Sequence, residues 1–508
     1  MTTTEAALLA GPFQDTGDNE LIANVRPPEW RNPTPQNPYH LLIIGAGPAG
    51  LVAARTAARL GAKVALIERD RLGGDSLHYA SVPTKTLIRT SRNYADMRGA
   101  SSFGSRAPAD IPVDFALAMD RVRRIRTQIS RANSASRLVE MGIDLFFGEA
   151  CFLGPAAVDV AGVTLSFRKA MIATGSRPKE VDIPGLPECG FIHPKEGFNL
   201  SALPKSVLVV GGGPAGCEAA QMMARLGVRT IIAMSEPLFL PGEERDAAYT
   251  VSEALARDGV EIHLNTRATA ARMDGASKAV DLANGGDIRT VTVDVVFVGT
   301  GRAPNIDGLG LEAAGVVATA ENGIQVDDFL RTTNPRIYAA GDVCLEQKFT
   351  TTADASGRLV VRNALFPGRK RMSSLIVPWC TYTDPEIAHV GLYVRQARER
   401  RIPVKTFTVP MHDVDRALAD GEESGFVKIH VREGSDKILG ATIVARHAGE
   451  MINEISLAVA AGIGLRKLAQ VVRAYPTQAE AIGIAADNYN KTRLTPARHW
   501  LLRKWLHR

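Results

Sequence analysis

One strand–turn–helix–strand pattern occurs twice in this sequence of 508 residues, and no other feature constrains the fold as strongly. The first copy, "HLLIIGAGPAGLVAARTAARLGAKVALIERD", begins at His40, and the second, "SVLVVGGGPAGCEAAQMMARLGVRTIIAMSE", begins at Ser206. An apolar run, a glycine turn, an alanine-rich stretch and a second apolar run predict a βαβ unit. Two such units predict an α/β protein with two Rossmann-like dinucleotide-binding domains.

The first glycine turn contains Gly45, Gly47 and Gly50. These glycines allow a tight turn, close approach of the backbone to a pyrophosphate, and close packing of helix on strand. The phosphates would lie at a helix N-terminus, where free N–H groups favour negative charge. Glu68 ends the second strand, where its carboxylate can accept a hydrogen bond from a ribose 2′-OH. In this context the turn predicts a dinucleotide site.

The second glycine turn contains Gly211, Gly213 and Gly216, but Met234 stands at the position equivalent to Glu68. The acid that would repel a 2′-phosphate is missing, so we expect NADPH to be used at least as well as NADH. No arginine follows at once to bind that phosphate. A site that binds a nicotinamide dinucleotide poorly, or not at all, is therefore the alternative.

Three further stretches read as a strand followed by a glycine turn. Their candidate cofactor-binding residues are Thr174 and Gly175 in "MIATGSRP", Gly301 in "FVGTGRAPN", and Gly341 and Asp342 in "RIYAAGDV". An acid after a strand, as at Asp342, suits the hydroxyls of a flavin's ribityl chain. A helix is predicted to begin near Thr351, where its dipole would favour negative charge on a flavin.

Composition narrows the possible functions. The net charge is +6, with 45% hydrophobic and 22% charged residues, as expected for a globular protein with large cores. The basic stretch 121–142 has no interleaved aromatic residues, so we predict no nucleic-acid partner. The five cysteines show no CxxC spacing and the ten histidines no ligand-spaced pair, so we expect reduced thiols and no metal site. Without a signal peptide or a long apolar run, a cytoplasmic location is expected.

Changes in composition and in apolar periodicity along the chain suggest six segments. They are an extended or disordered N-terminal extension (1–39), two segments that each contain one βαβ unit (40–200 and 201–320), a central segment (321–372), an α+β domain (373–490) and a basic amphipathic tail (491–508).

From about residue 40 to 490 the chain resembles the class I flavoprotein disulfide reductases, such as dihydrolipoamide dehydrogenase, glutathione reductase and, most closely, mercuric reductase-like proteins. The resemblance implies bound FAD, a nicotinamide dinucleotide and a homodimer that shares each active site across its interface. It implies that 40–200 is the first part of an FAD-binding domain, 201–320 an NAD(P)-binding domain, 321–372 a central segment returning to the FAD domain, and 373–490 a dimerisation domain. It places Lys85 beside the flavin N5 and Glu218 as its ion-pair partner, where hydride passes from NAD(P)H to FAD.

The redox loop departs from the family pattern. In "LGGDSLHYASVPTK" the resemblance places Gly74 at the cofactor, while Ser76 and Ser81 occupy the positions of the two redox cysteines. A serine hydroxyl cannot form a disulfide or act as a thiolate. In "YPTQAE", Tyr475 replaces the family's histidine and Glu480 is retained. With an ordinary pKa of about 10, tyrosine is a poor base at neutral pH.

We therefore expect an FAD-dependent NAD(P)H oxidoreductase that passes electrons from the flavin to a quinone, a dye-like acceptor or oxygen. One alternative is a mercuric or disulfide reductase disabled by Cys→Ser changes. The resemblance to mercuric reductases implies a second pair of cysteines near the C-terminus. This chain has no cysteine after Cys380. Another alternative is a non-catalytic flavoprotein scaffold. The serines are natural or engineered, and the untagged Met1 favours a natural origin.

The last residues, "ARHWLLRKWLHR", combine tryptophan and leucine with basic residues. Trp500, Leu501 and Trp505 are predicted near one helical face, with Leu502 and Leu506 beside it. Such a helix suits an anionic membrane surface, here the inner face of the membrane. The alternative is a terminal helix packed on its own dimer.

Overall fold

The computed structural model describes residues 16–106, 108, 111–193 and 200–506. The chain divides into two compact units. The first contains the residues up to Pro237 together with Gly259–Leu375, and the second contains Leu238–Asp258 and the residues from Ile376 onwards.

The strands of the first βαβ motif lie at the centre of a mainly parallel sheet in the first compact unit. In β1 the residues Leu41–Ile44 are buried and pair in parallel with β2 on one side and β6 on the other. Beyond β2 lies β3, and the other end of β6 pairs with the antiparallel strand β5, which in turn pairs with β4. The elements are α1 (Thr16–Val25), β1 (Tyr39–Ile44), α2 (Pro48–Arg59), β2 (Val64–Glu68), α3 (Gly74–His78), α4 (Ser81–Gly99), α5 (Phe115–Ser130), α6 (Ala135–Glu140), β3 (Ile143–Phe147), β4 (Ala150–Gly154), β5 (Ala157–Val160), β6 (Val163–Ile172), β7 (Ser176–Pro178) and α7 (Leu186–Cys189).

The N-terminal segment differs from the extended arm expected of residues 1–39. Thr16–Val25 form α1, which buries Leu21 and Val25 in the core of the first sheet. Asn24 Nδ2 donates to Ser130 Oγ at 2.9 Å. Burial of two apolar side chains therefore favours a helix here over an extended chain. Residues 1–15 of the expected arm lie outside the described residues.

The second βαβ unit builds a separate parallel sheet with the order β10-β9-β8-β14. A three-stranded antiparallel sheet, β11-β12-β13, follows β10 along the chain. The elements are β8 (Ser206–Val210), α8 (Pro214–Arg225), β9 (Arg229–Ala233), α9 (Arg245–Arg257), β10 (Val260–His263), β11 (Arg267–Asp274), β12 (Ser277–Asn284), β13 (Asp287–Val293) and β14 (Val295–Val298).

The chain then returns to the first sheet, because β18 pairs in parallel with β6. The helix after β18, α10, packs on α2 of the first βαβ unit. The elements of this return are β15 (Arg302–Pro304), β16 (Ala318–Thr319), β17 (Gly323–Ile324), β18 (Ile337–Ala339) and α10 (Thr350–Leu365).

The second unit is built on an antiparallel sheet with the order β19-β20-β23-β22-β21, covered by α13 and α15. The elements are β19 (Trp379–Thr381), β20 (Glu386–Gly391), α11 (Val394–Glu399), β21 (Val404–Pro410), α12 (Asp415–Asp420), β22 (Phe426–Arg432), β23 (Ile438–Ala445), α13 (Ala448–Ala460), α14 (Leu465–Leu468), α15 (Glu480–Lys491) and α16 (Pro496–Leu506). The predicted fold class, two dinucleotide-binding α/β domains and a C-terminal α+β domain, is confirmed.

The segment 238–258, which includes α9, groups with the second unit rather than with the expected domain 201–320. A buried ion cluster explains this grouping. Glu244 lies 2.8 Å from Lys428 Nζ and 3.0 Å from His430 Nε2, and both partners are on β22. Tyr393 also donates a hydrogen bond of 2.7 Å to Glu243.

Candidate active site

The first glycine turn has the shape that a pyrophosphate needs. Gly45 has a φ of +102°, and a Cβ there would lie 2.3 Å from Ala173 O. A Cβ on Gly50 would lie 1.8 Å from Gly45 O, so helix α2 can approach β1 only with glycine at this position. The N-cap residue Gly47 provides no side-chain acceptor to the first turn of α2. The backbone N–H groups in the first turn of α2 can therefore bind an anion.

The glycine turn also meets the start of the redox loop. Gly74 has a φ of +57°, and a Cβ on it would lie 2.9 Å from Gly47 Cα. Two facing glycines leave a backbone-lined cradle that side chains would fill. This cradle fits the extended diphosphate of FAD, and it supports the placement of Gly74 among the cofactor-binding residues.

The carboxylate of Glu68 lies beside the same turn. Its two oxygens accept hydrogen bonds from Ala46 N and Asp70 N, each at 2.8 Å. Burial raises the pKa of Glu68 above its ordinary value, and the two backbone donors act in the opposite direction. A carboxylate fixed at the end of β2 is placed as the ribose of a dinucleotide requires.

The two turn-forming stretches near 175 and 302 pair with each other. Strands β7 and β15 are antiparallel. Thr174 Oγ1 donates to Asn305 O at 2.7 Å, and Asn305 N donates to Gly175 O at 3.0 Å. Gly175 and Gly301 both have positive φ values, of +71° and +107°. This two-stranded antiparallel pair therefore depends on glycine at both turns.

Arg302, which is not among the candidate site residues that the sequence predicts, connects this strand pair to two acids. Arg302 forms an ion pair with Asp75, immediately before Ser76, and its Nε lies 3.8 Å from Asp342 Oδ2. Ser176 Oγ donates to Asp342 Oδ2 at 2.7 Å. The backbone turns at Gly341, where φ is +74°. Asp342 is thus held in a fixed orientation, as an acceptor for ribityl hydroxyls needs to be.

Ser76 and Ser81 share a hydroxyl partner, which is Thr350 at the start of α10. Ser76 Oγ lies 3.1 Å and Ser81 Oγ 3.0 Å from Thr350 Oγ1. The sequence analysis predicted a helix start near Thr351, and the helix begins one residue earlier. The three hydroxyls form one cluster, hereafter the hydroxyl cluster (Ser76, Ser81 and Thr350). Each hydroxyl can donate and accept a hydrogen bond, but none is a thiolate.

Lys85 and Glu218 form an ion pair between α4 and α8. Lys85 Nζ lies 2.7 Å from Glu218 Oε2. The carboxylate side chain is 6% exposed and the lysine side chain 36%. The ammonium is therefore held in place by a buried acid while remaining open to a bound cofactor.

The second glycine turn repeats the first, with one difference. Gly211 has a φ of +106°, and a Cβ on Gly216 would lie 2.2 Å from Gly211 O, while no atom lies within 4 Å of a Cβ on Gly213. This geometry fits a pyrophosphate. Met234 is only 2% exposed, and its Sδ would lie 2.5 Å from a Cβ on Gly212. An apolar side chain therefore packs where a ribose-binding carboxylate would stand.

Tyr475 and Glu480 belong to the second unit and do not share a hydrogen bond in the described residues. Tyr475 is 71% exposed, and its OH donates to Asp415 Oδ2 at 2.8 Å. That hydrogen bond raises the pKa of the Tyr475 phenol. Glu480 Oε2 is buried and has no hydrogen-bond partner among the described residues. A tyrosine held by an aspartate stays protonated at neutral pH, so it cannot act as a base there.

Two of the cysteines, Cys217 and Cys344, do not replace the missing pair. Burial raises the pKa of Cys217, and it raises that of Cys344 to about 12, so both stay as unreactive thiols near neutral pH. Cys380 lies half-buried in β19, with its Sγ 4.0 Å from Glu386 Oε2.

The described residues contain no group of three or more His, Cys, Asp or Glu side chains arranged to hold a metal ion. No helix in the described part of the chain is both long and apolar enough to cross a membrane.

The fold and these sites define an oxidoreductase that uses a flavin and a nicotinamide dinucleotide. The chain matches the family model described as pyridine nucleotide-disulphide oxidoreductase over residues 39–358, and the dimerisation domain of that family over residues 377–486. It belongs to this family. Members use FAD and pyridine nucleotides, and the dimerisation domain supports a homodimer.

Three similar proteins illustrate the range of the family. The chain is 32% identical over 454 residues to a mercuric reductase from Staphylococcus aureus, covering 89% of this chain and 83% of that protein. It is 33% identical over 453 residues to a dihydrolipoyl dehydrogenase from Geobacillus stearothermophilus, covering 88% and 95%. Among solved structures, the HOCl-induced flavoprotein disulfide reductase RclA from Escherichia coli matches with a TM-score of 0.79 at 28% identity, covering 88% of this chain and 99% of RclA.

Proposed function

We propose that this protein transfers two electrons from NAD(P)H through FAD directly to a small quinone, without a dithiol relay. The observation that carries the proposal is the hydroxyl cluster, in which Ser76 and Ser81 both contact Thr350 Oγ1. Lys85, four residues after Ser81 in the sequence, keeps its ion pair with Glu218 at 2.7 Å. The parts needed to accept hydride are therefore kept, while those needed for thiol exchange are replaced.

The cofactor is held by residues of the first unit. FAD, when bound, supplies hydride acceptance from a nicotinamide and two-electron delivery to an acceptor. The backbone at Gly45–Gly50 and the N-terminus of α2 bind its diphosphate, and Glu68 binds a ribose hydroxyl. Asp342 accepts from the ribityl chain, and Lys85 holds a positive charge where its ammonium is fixed by Glu218.

A quinone fits the hydroxyl cluster better than a disulfide does. Hydroxyl groups donate hydrogen bonds to carbonyl oxygens, and a quinone carries two carbonyls. The balanced reaction is NAD(P)H plus H⁺ plus quinone, giving NAD(P)⁺ plus hydroquinone. A disulfide would need a thiolate to attack sulfur, and the described loop offers only hydroxyls.

The proposal includes three further points. NADPH serves at least as well as NADH, because Met234 removes the acid that would repel a 2′-phosphate. Tyr475 acts as a neutral phenol and not as a base, because its OH donates a hydrogen bond to Asp415, which favours the protonated phenol. The enzyme acts as a homodimer in the cytoplasm, with Glu480 retained at the position that the family resemblance places in the active site.

Stopped-flow mixing with NADH and NADPH tests the proposal. We expect prompt loss of the flavin's visible absorbance, its return on adding a naphthoquinone, and no turnover of lipoamide, oxidised glutathione or Hg²⁺. Ser76→Ala with Ser81→Ala should lower kcat/KM for the quinone about tenfold, the worth of one or two lost hydrogen bonds, while flavin reduction keeps its rate. Ser201→Ala, in an exposed position outside the loop, is the control.

Two outcomes favour the alternatives. Visible absorbance that persists after NADH and NADPH would support a non-catalytic scaffold. Substantial disulfide or Hg²⁺ reduction by the serine-containing protein would contradict the proposal, because it would require an electron relay that the two hydroxyls cannot provide.

A further inference from the structure

The end of the chain carries a surface that the proposed reaction does not use. Residues 488–508 contain six lysines and arginines and no aspartate or glutamate. The whole chain has 60 Lys and Arg against 54 Asp and Glu, so this short segment accounts for the entire excess of positive charge. We call its described part, residues 488–506, the tail surface.

Large apolar side chains are exposed on the tail surface. Trp505 and Leu506 are each 70% exposed, Leu501 is 59% and Leu494 is 53%. The end of α15 and the helix α16 form an open groove of about 560 Å³. Its lining residues are Asn490, Arg493, Leu494, Leu501, Leu502 and Trp505. An exposed apolar groove of this kind marks an interaction site more often than a chance feature.

The basic groups stand next to the apolar ones. Arg503 and Lys504 lie between Leu502 and Trp505 in sequence, so they project from α16 on either flank of the groove-lining residues. Lys504 Nζ lies 4.4 Å from the ring centroid of Trp500. Trp500 is not among the groove-lining residues.

We propose that the tail surface docks on an anionic lipid membrane. Leucine and tryptophan side chains partition into the boundary between headgroups and acyl chains, and lysine and arginine bind the lipid phosphates. Helix α16 has 11 residues, about half of what spans a bilayer, so it lies in the plane of the interface. The enzyme would thereby be placed where lipid-soluble acceptors are found.

The combination of cations and apolar side chains on the tail surface disfavours two other partners, a second copy of the same surface and a nucleic acid. If the tail surfaces of two chains packed on each other, their cations would face one another with no acid in either segment to pair with. A nucleic acid would satisfy the cations, but it would leave Leu501, Leu506 and Trp505 in water. Only an anionic amphiphilic surface satisfies both sets of side chains.

Co-sedimentation with lipid vesicles tests the docking, using the full-length, FAD-loaded protein. We expect binding to phosphatidylcholine vesicles that contain phosphatidylglycerol, weak binding to pure phosphatidylcholine, and loss of binding at high salt. Arg503→Glu with Lys504→Glu should weaken binding about tenfold or more, since each cation near an anionic surface contributes to affinity. Leu501→Ala with Trp505→Ala should weaken it to a similar degree.

Matched variants elsewhere serve as controls. Arg398→Glu with Arg400→Glu changes the charge equally at two exposed positions, one in α11 and one immediately after it, and Ile288→Ala removes an apolar side chain that is 70% exposed on β13. Neither should change vesicle binding. The rate of flavin reduction by NADPH is measured on every variant, so a failure of the proposed enzyme function is seen separately from a failure of docking.

Several results would overturn the docking. They are no sedimentation of the intact protein with anionic vesicles, equal sedimentation after deletion of residues 496–508, and retention by duplex DNA in preference to vesicles. A shift from dimer to monomer on deletion of that helix, with vesicle binding unchanged, would assign the tail surface to the dimer instead.

Discussion

Lys85 Nζ and Glu218 Oε2 lie 2.7 Å apart, and the pair joins the helix that follows the redox loop to the helix that follows the second glycine turn. The two partners are unequal, because the glutamate side chain is 6% exposed and the lysine 36%. Removing the lysine leaves a buried carboxylate without its cation. Removing the glutamate charge leaves an ammonium that can turn towards water. The two changes should therefore have different effects.

Glu218→Gln should slow flavin reduction by NADPH roughly 10- to 100-fold, because the ammonium of Lys85 loses the partner that positions it. Lys85→Met should destabilise the fold by about 1–3 kcal/mol, less than the roughly 3–5 kcal/mol that breaking a fully buried pair costs, since the lysine is partly exposed. Stopped-flow absorbance and urea unfolding measure the two effects.

The double variant Lys85→Met with Glu218→Gln provides the control for this pair. It removes both charges, so much of the stability lost in Lys85→Met should return, while flavin reduction stays slow. Additive losses of stability in the double variant would show that the two residues do not depend on each other.

The parts of the site that lie within one βαβ unit could be predicted from the sequence. A Cβ on Gly50 would meet Gly45 O, and Glu68 accepts from Ala46 N, so these contacts follow from the spacing of one local motif. The same reasoning predicted the second turn and the missing acid at Met234. Short-range periodicity is sufficient where the functional contact is itself short-range in sequence.

Contacts between distant segments could not be predicted in this way. Ser76 meets Thr350 across 274 positions, and Arg302 meets Asp75 across 227. In neither pair does the sequence around one residue indicate which distant residue it contacts. Helix α1 was missed because "TGDNELIANV" has few apolar positions, and its stability comes from burying Leu21 and Val25 against the first core.

Met234→Glu should shift the preference of the enzyme towards NADH. A carboxylate at the end of β9 can accept from a 2′-OH and repels a 2′-phosphate, and a hydrogen bond to a charged group is worth roughly 10- to 100-fold in affinity. The ratio of kcat/KM for NADH and NADPH measures the change, with Met234→Leu as the control of similar volume. A strong NADH preference in the unaltered protein would contradict the basis of this prediction.

Acid should destabilise the first unit through His78. Burial lowers the pKa of His78 from 6.5 to about 4. The unfolded chain therefore takes up a proton below pH 6.5 while the folded protein does not, and stability falls as the pH falls from 6.5 towards 4. The loss between pH 7 and pH 5 should be about 2 kcal/mol.

The variant His78→Gln checks that assignment. Glutamine can still donate to Leu72 O, which His78 Nε2 contacts at 2.9 Å, but it does not titrate. The difference in thermal midpoint between pH 7 and pH 5 should become smaller in the variant. An unchanged difference would mean that other groups, such as buried His389, cause the acid sensitivity.

Ser76→Cys with Ser81→Cys should convert the hydroxyl cluster into a redox-active disulfide. Both hydroxyls contact the same oxygen, at 3.1 and 3.0 Å, so the two side chains already converge on one point, and four residues separate them as in the family's redox pair. We expect the oxidised double variant to lose two titratable thiols, and to gain on partial reduction the long-wavelength absorbance of a thiolate beside an oxidised flavin. Each single variant is a control, because one cysteine cannot close the loop. Two free thiols after mild oxidation of the double variant would show that the loop no longer holds these positions in disulfide geometry.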